Sequence, residues 1–158
     1  MITEFIGEIN GRSLKIGIII SRFNEIITKR LLEGAKEGLI SKGVNESDIN
    51  VAWVPGSLEL GLIAKVMAES RRYDTLICLG AVIRGETSHY DIVSWEGAYN
   101  ITRVSYETGV PTIFGVLTTE NSQQALDRSG GKVGNKGYDA AITAIQMANL
   151  LKIIKKDG

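Results

Sequence analysis

The 158-residue chain balances 18 basic against 18 acidic side chains, which argues against a dedicated nucleic-acid or anionic-membrane surface and leaves small molecules or other copies of the chain as partners. This length fits one domain, 1–158, with a sizeable buried core, so any larger assembly must come from self-association. A single cysteine, Cys78, excludes an internal disulfide; set among Leu76, Ile77 and Leu79, it reads as a buried strand thiol in a reducing, cytoplasmic setting.

Met1 to Asn10 carries Glu4 and Glu8 and lacks a basic flank with a long apolar stretch, so it reads as neither a signal nor a transit peptide. Residues 1–12 are expected as an N-terminal arm whose Phe5, Ile6 and Ile9 can add a strand to its own sheet or to a neighbour's. No apolar run approaches membrane-spanning length.

Leu14 to Ile20 is a near-continuous β-branched run, followed by a helical pattern with Ile27, Leu31, Ala35 and Leu39 on one face and a stop at Gly43. Val51 to Val54 is the second strand; Pro55 and Gly56 turn the chain, and Ser57 is placed to cap a helix running to about Ser70. Thr75 to Ile83 is the third strand. Ser88 is placed to cap a helix from His89 to about Thr108, with Asp91 as the capping-box partner. Thr112 to Leu117 is the fourth strand. Asn121 with Gln124 opens a short helix ending near Ser129, Gly130 to Gly137 reads as a loop, and Tyr138 to Lys155 is the last helix, with Ala141, Ala144, Ile145, Ala148 and Leu151 on one stripe.

Apolar strands without alternation imply a sheet covered on both faces: an α/β three-layer sandwich around a mainly parallel four-stranded sheet, of flavodoxin-like order. Ligands of such sheets bind at the carboxyl ends of the strands. Four loops are expected there: Ser21 to Glu25, Pro55 to Glu59, Arg84 to His89 and Thr118 to Asn121.

The third of these loops carries the strongest chemical signal. Gly85 permits close backbone approach, Thr87 and Ser88 add donors at a positive helix end, and His89, the only histidine, stands beside them. An imidazole there suits proton transfer near neutral pH; the alternative is a histidine that merely caps a helix. Phe23, directly after a strand, is either a stacking platform for a planar ring or a hydrophobic staple onto the first helix. Ser57 and Glu59 suit a helix first turn as well as a ligand, and Arg128 and Lys136 suit helix-dipole pairing as well as an anion. With one histidine, one cysteine and no cluster of either, the residues argue against a metal site.

Taken together, Ser21-Arg-Phe-Asn-Glu25, Val54-Pro-Gly-Ser-Leu-Glu59, Leu79 to His89 (LGAVIRGETSH), Gly109-Val-Pro, Phe114-Gly-Val-Leu-Thr-Thr-Glu120 and Gly134-Asn-Lys-Gly137 resemble the lumazine synthase family over nearly the whole chain. The resemblance implies condensation of 5-amino-6-ribitylamino-uracil with 3,4-dihydroxy-2-butanone 4-phosphate to 6,7-dimethyl-8-ribityllumazine in riboflavin biosynthesis, with loss of phosphate and no cofactor. It implies that Phe23 stacks on the pyrimidine, that Ser57, Leu58, Glu59, Ala81, Val82 and Ile83 hold its edge and the ribityl chain, and that Glu86, Thr87 and Arg128 bind phosphate. His89 would move protons. Phe114 and Arg128 would reach the site from an adjacent subunit, with Lys136 close by, in a homo-oligomer built of pentamers, up to a 60-subunit shell, with riboflavin synthase as a further partner.

Some positions depart from the family's commoner residues: Leu58 replaces an aromatic, Gly61 a proline, Glu86 a small residue, and Tyr99 and Asn100 replace Lys and Gly. Glu86, repelled by an anion, is expected to turn its carboxylate to solvent and offer only its backbone N–H. Two other functions compete at this point: a non-catalytic shell that binds a flavin or lumazine, and a flavodoxin-like electron carrier. The second is disfavoured because Ser21 to Glu25 lacks a hydroxyl-rich turn for a flavin phosphate.

Overall fold

The computed structural model describes residues 1–157. In chain order the elements are β1 (Ile16–Ser21), α1 (Glu25–Ser41), β2 (Ile49–Val54), α2 (Leu60–Glu69), β3 (Thr75–Ile83), α3 (His89–Thr108), β4 (Thr112–Thr119), α4 (Ser122–Asp127), β5 (Ser129–Gly131), β6 (Gly134–Asn135) and α5 (Lys136–Asp157). Single 3-10 turns, Glu46–Asp48 and Ser57–Glu59, precede β2 and α2. The main sheet has the order β2-β1-β3-β4 with every pairing parallel. This is the flavodoxin-like α/β sandwich expected from the non-alternating strands.

Two cores sit on opposite faces of the sheet, as the two-residue period of a strand requires. Ile16, Ile18 and Ile20 of β1 and Ile77 and Leu79 of β3 face α1 and α5, where Leu31, Ala35, Leu39, Ala141, Ala144 and Ile145 meet them. Ile19, Leu76 and Cys78 face α2 and α3, against Leu60, Ala64, Ile101 and Val104. Full burial raises the Cys78 thiol far above its ordinary pKa, so it stays neutral and acts as a small hydrophobe.

Local chemistry explains several boundaries. Gly43, at φ 103°, ends α1 with paired bonds, Gly43 N to the Ile40 carbonyl and Val44 N to the Leu39 carbonyl, each 3.1 Å, the double closure that left-handed glycine permits. α1 and α5 pack closely because a Cβ on Gly137 would collide with the Leu31 carbonyl. Asn121 caps α4, its Oδ1 accepting from Gln124 N at 2.9 Å while Gln124 Oε1 accepts from Glu120 N at 2.8 Å.

Other expectations are corrected. β1 begins at Ile16, not Leu14, although Leu14 is buried; β2 and β4 extend beyond the apolar runs to Ile49 and Thr119. In place of the expected Gly130–Gly137 loop stand the β5–β6 hairpin, which begins at Ser129, and the start of α5 at Lys136 rather than Tyr138; the hairpin is pinned to α1 by Arg30 Nε donating to the Ser129 carbonyl and Asn135 Nδ2 donating to the Arg30 carbonyl, both at 3.1 Å. The arm adds no strand to its own sheet. It lies along α5, where Asn149 Nδ2 donates to the carbonyls of Glu8 and Asn10 at 2.7 and 2.9 Å. Among the described residues, no helix is long and apolar enough to cross a membrane.

Candidate active site

β1 and β3 are neighbours, yet the chain leaves them toward opposite sides of the sheet, and a crevice opens at their carboxyl ends. There a cavity of about 450 Å³ is lined by the loops after β1, β2 and β3, within the range of small-molecule sites. Its walls are largely apolar. Phe23, Leu58, Ala81, Val82, Ile83 and Val93 supply hydrocarbon, while Ser57, Glu59, Thr87 and His89 supply the polar groups.

Phe23 projects into this space with 71% of its surface exposed. An exposed ring at the mouth of a cavity is no staple onto α1, because a staple would be buried. The loop that carries it turns sharply: Asn24 adopts a left-handed conformation, φ 60°, and its Nδ2 donates to the Ala81 carbonyl at 2.8 Å. The first loop is thus tied to the cavity wall made by β3.

Ser57 is not the helix cap expected from its position. It opens the 3-10 turn before α2, makes no side-chain cap bond, and is nearly buried. Its hydroxyl points back at the sheet: a Cβ built on Gly80 of β3 would come within 2.9 Å of Ser57 Oγ and 3.2 Å of the buried Ser21 Oγ. Glycine at 80 therefore leaves room for two hydroxyls beneath the cavity floor. Ser21 Oγ has no hydrogen-bond partner among the described residues.

The turn into α3 also differs from the expected capping box. Ser88 makes no side-chain cap; the Thr87 hydroxyl accepts from His89 N instead, at 3.3 Å, and the Asp91 carboxylate lies 3.4 Å from Arg84 Nη2. A threonine one residue earlier reaches the open N–H that the serine does not. Gly85, Thr87 and His89 face the cavity at the positive end of a 20-residue helix, a setting that attracts an anion.

The Glu86 side chain is exposed and outside the cavity lining, facing solvent as expected. Other expected residues lie elsewhere. The Thr118 to Asn121 loop does not line the cavity either; it meets the third loop through Arg84, whose Nε donates to Glu120 Oε2 at 2.8 Å. Phe114 packs in the β4 part of the α2–α3 core, with Lys136 Nζ 6.0 Å from its ring centroid, and Arg128 Nη1 donates to the Gln124 carbonyl at 3.3 Å. Within one chain none of these three residues lines the cavity that holds Phe23 and His89.

Tyr90 and Val93, which the motifs do not mark, also line the cavity from α3. Val93 follows His89 by one helical turn, so the 3.6-residue period pointed to it. Tyr90 carried no such signal; it packs against the α2–α3 core with the Arg84 guanidinium 4.3 Å from its ring centroid.

Residues 13–152 match the sequence profile of 6,7-dimethyl-8-ribityllumazine synthase. That match spans both sides of the cavity, from the strand before Phe23 to the helix after Arg128. The chain belongs to the 6,7-dimethyl-8-ribityllumazine synthase family, whose function lies in riboflavin biosynthesis.

Proposed function

We propose that this chain condenses 5-amino-6-ribitylamino-uracil with 3,4-dihydroxy-2-butanone 4-phosphate to 6,7-dimethyl-8-ribityllumazine, as a soluble cytoplasmic enzyme that needs no cofactor. The observation that carries the reading is the meeting, in one cavity, of an exposed Phe23, the Gly85–Thr87 turn at the start of α3, and His89.

In this reading the pyrimidine stacks on Phe23 between the Ser57–Glu59 and Ala81–Ile83 segments. The phosphate of the second substrate rests on the backbone N–H groups of the 85–87 turn and the Thr87 hydroxyl. The amine and ketone are thereby held together, which can supply about 7–11 kcal/mol of barrier reduction. The amine attacks the ketone carbonyl; a proton passes from nitrogen to the departing oxygen and water leaves to form the imine. Loss of the phosphate needs a proton taken from the neighbouring carbon, and ring closure expels a second water. His89 lines the cavity beside the turn and, in this reading, takes and returns these protons, a contribution of typically ~10²–10⁴ in rate.

Arg128, Phe114 and Lys136 enter this reading only from a second subunit. Self-association is supported by apolar side chains left in water: Phe5, Ile6 and Ile9 on the arm, Leu62 and Val66 on α2, and Ile92, Trp95 and Tyr106 on α3. A ring of identical subunits, a pentamer or a shell of pentamers, would bury them.

The test is direct. Purified protein mixed with both substrates is expected to develop the lumazine chromophore and release phosphate in equal amounts. Tight binding of riboflavin or lumazine without turnover would instead make the chain a non-catalytic binding shell.

A further inference from the structure

The turn between β3 and α3 has little to hold it from within. Gly85, Glu86, Thr87 and Ser88 are all exposed, its internal side-chain bond is the 3.3 Å contact from His89 N to Thr87 Oγ1, and a Cβ on Gly85 would meet nothing within 4 Å. A segment so placed samples many backbone states unless something outside restrains it.

Arg84 is that restraint. Its backbone N–H donates to the Thr119 carbonyl at 2.8 Å, its Nε donates to Glu120 Oε2 at 2.8 Å, its Nη2 lies 3.4 Å from Asp91 Oδ1, and its guanidinium carbon stands 4.3 Å from the centroid of the Tyr90 ring. A residue at the start of the turn thus grips two residues just past its end, together with a carboxylate of the next strand-end loop. That loop is firm in itself: Glu120 N donates to Gln124 Oε1 at 2.8 Å, Gln124 N to Asn121 Oδ1 at 2.9 Å and Thr119 Oγ1 to the Asn121 carbonyl at 3.0 Å. The guanidinium fork joins the rigid loop to the open one.

We propose that Arg84 is a positioning residue that fixes the Gly85–Ser88 backbone in the geometry that receives a phosphate group and sets His89 against the cavity, without touching substrate itself. Arg84 is absent from the cavity lining although both its neighbours, Ile83 and Gly85, are part of it. Its charge already meets two carboxylates, so it is a poor ligand for a third anion. The arrangement also demands arginine. A planar fork can address Glu120 and Asp91 from separate nitrogens while its face lies on Tyr90, and a lysine ammonium cannot do all three.

The kinetic part of this inference rests on the proposed phosphate role of the turn; the conformational part does not. The experiment therefore reads both on the assembled protein, using Arg84→Gln, Arg84→Lys and the milder Glu120→Gln. Amide hydrogen exchange, which needs no substrate, is expected to speed up about three- to tenfold in peptides covering residues 85–91 of Arg84→Gln and to stay unchanged in β1 and α5, since solvent-exposed ion pairs and cation–π stacks are individually modest. The dissociation constant for inorganic phosphate and the KM for the phosphorylated substrate are expected to rise by a similar factor, while the KM for the pyrimidine stays within twofold. Arg84→Lys falls between wild type and Arg84→Gln, and Glu120→Gln gives a smaller shift in the same direction. If Arg84→Gln does not fold, Glu120→Gln carries the comparison. Unchanged exchange in the turn overturns the inference, as does an equal rise in KM for both substrates. A wild-type protein that neither binds phosphate nor turns over, but whose turn loosens when Arg84 is replaced, would overturn the proposed function and leave the clamp standing.

Discussion

Asn24 ties the loop that carries Phe23 to the wall of the cavity: its Nδ2 donates to the Ala81 carbonyl at 2.8 Å, from a backbone held in the left-handed region at φ 60°. Asparagine tolerates that conformation better than other residues with a Cβ, so one side chain meets both needs. Asn24→Gly keeps the backbone and removes the bond, and is expected to destabilise by about 1 kcal/mol. Asn24→Ala removes the bond and adds left-handed strain, for a total of about 2 kcal/mol or more. Denaturant unfolding of both variants separates the terms. Equal losses would mean that the left-handed turn costs alanine nothing here.

Phe23 is largely exposed, so its removal is expected to leave stability within about 0.5 kcal/mol. Binding should respond instead. Loss of the stacking geometry alone weakens a planar-ring ligand roughly 2- to 12-fold, and the smaller buried area adds to that. Fluorescence titration of Phe23→Ala and Phe23→Trp with a lumazine or flavin checks it: the alanine variant weakens and the tryptophan variant holds. Unchanged affinity in Phe23→Ala would remove the ring from the site.

His89→Ala is expected to slow turnover roughly ten- to a thousand-fold without abolishing it, because positioning contributes more than proton transfer. Arg128→Ala is expected to raise the KM of the phosphorylated substrate far more than that of the pyrimidine, because a charge-assisted hydrogen bond to phosphate is removed. If Arg128 serves a neighbour's site, mixed rings of the two variants should recover activity at about one interface in four, by random placement around a heterologous ring. Mass spectrometry confirms the mixing. Mixed rings that stay at the parents' activity would confine the site to one chain.

Gly61 of α2 faces Asn100 of α3 across a tight helix–helix contact. A Cβ on Gly61 would stand 2.9 Å from Asn100 Cβ and 3.2 and 3.3 Å from the Asn100 backbone. Gly61→Ala is therefore expected to cost about 1–3 kcal/mol through overpacking, despite alanine's better helix propensity. Asn100→Gly removes the nearest atom. The double variant is expected to be more stable than the sum of the two single losses predicts, a coupling that thermal unfolding of all four proteins measures. Strict additivity would show that α2 and α3 simply move apart.

Hydrophobic period and turn chemistry were enough to set out the parallel sandwich, the order of the main helices and strands, and the strand ends at which a ligand would lie. β3 and α3 occur at the residues expected, although the Ser88 cap used to place α3 is not made, and Gly43 and Asn121 end and begin helices as their chemistry required. These features depend on bonds and spacings that span a few residues, which any window of the chain contains. Groups distant in the chain settled the rest. The Ser57 hydroxyl turned from its own helix to a glycine 23 residues away because β3 offered it a buried niche at Gly80. Asp91 left the capping box for Arg84, and the Gly130–Gly137 segment became a hairpin because Arg30 supplied partners 99 and 105 residues distant. The arm chose α5, held by Asn149. In each case a polar side chain had a local option and a remote one, and the remote one won where folding had already brought a donor or acceptor into place, so that little further chain entropy opposed the bond.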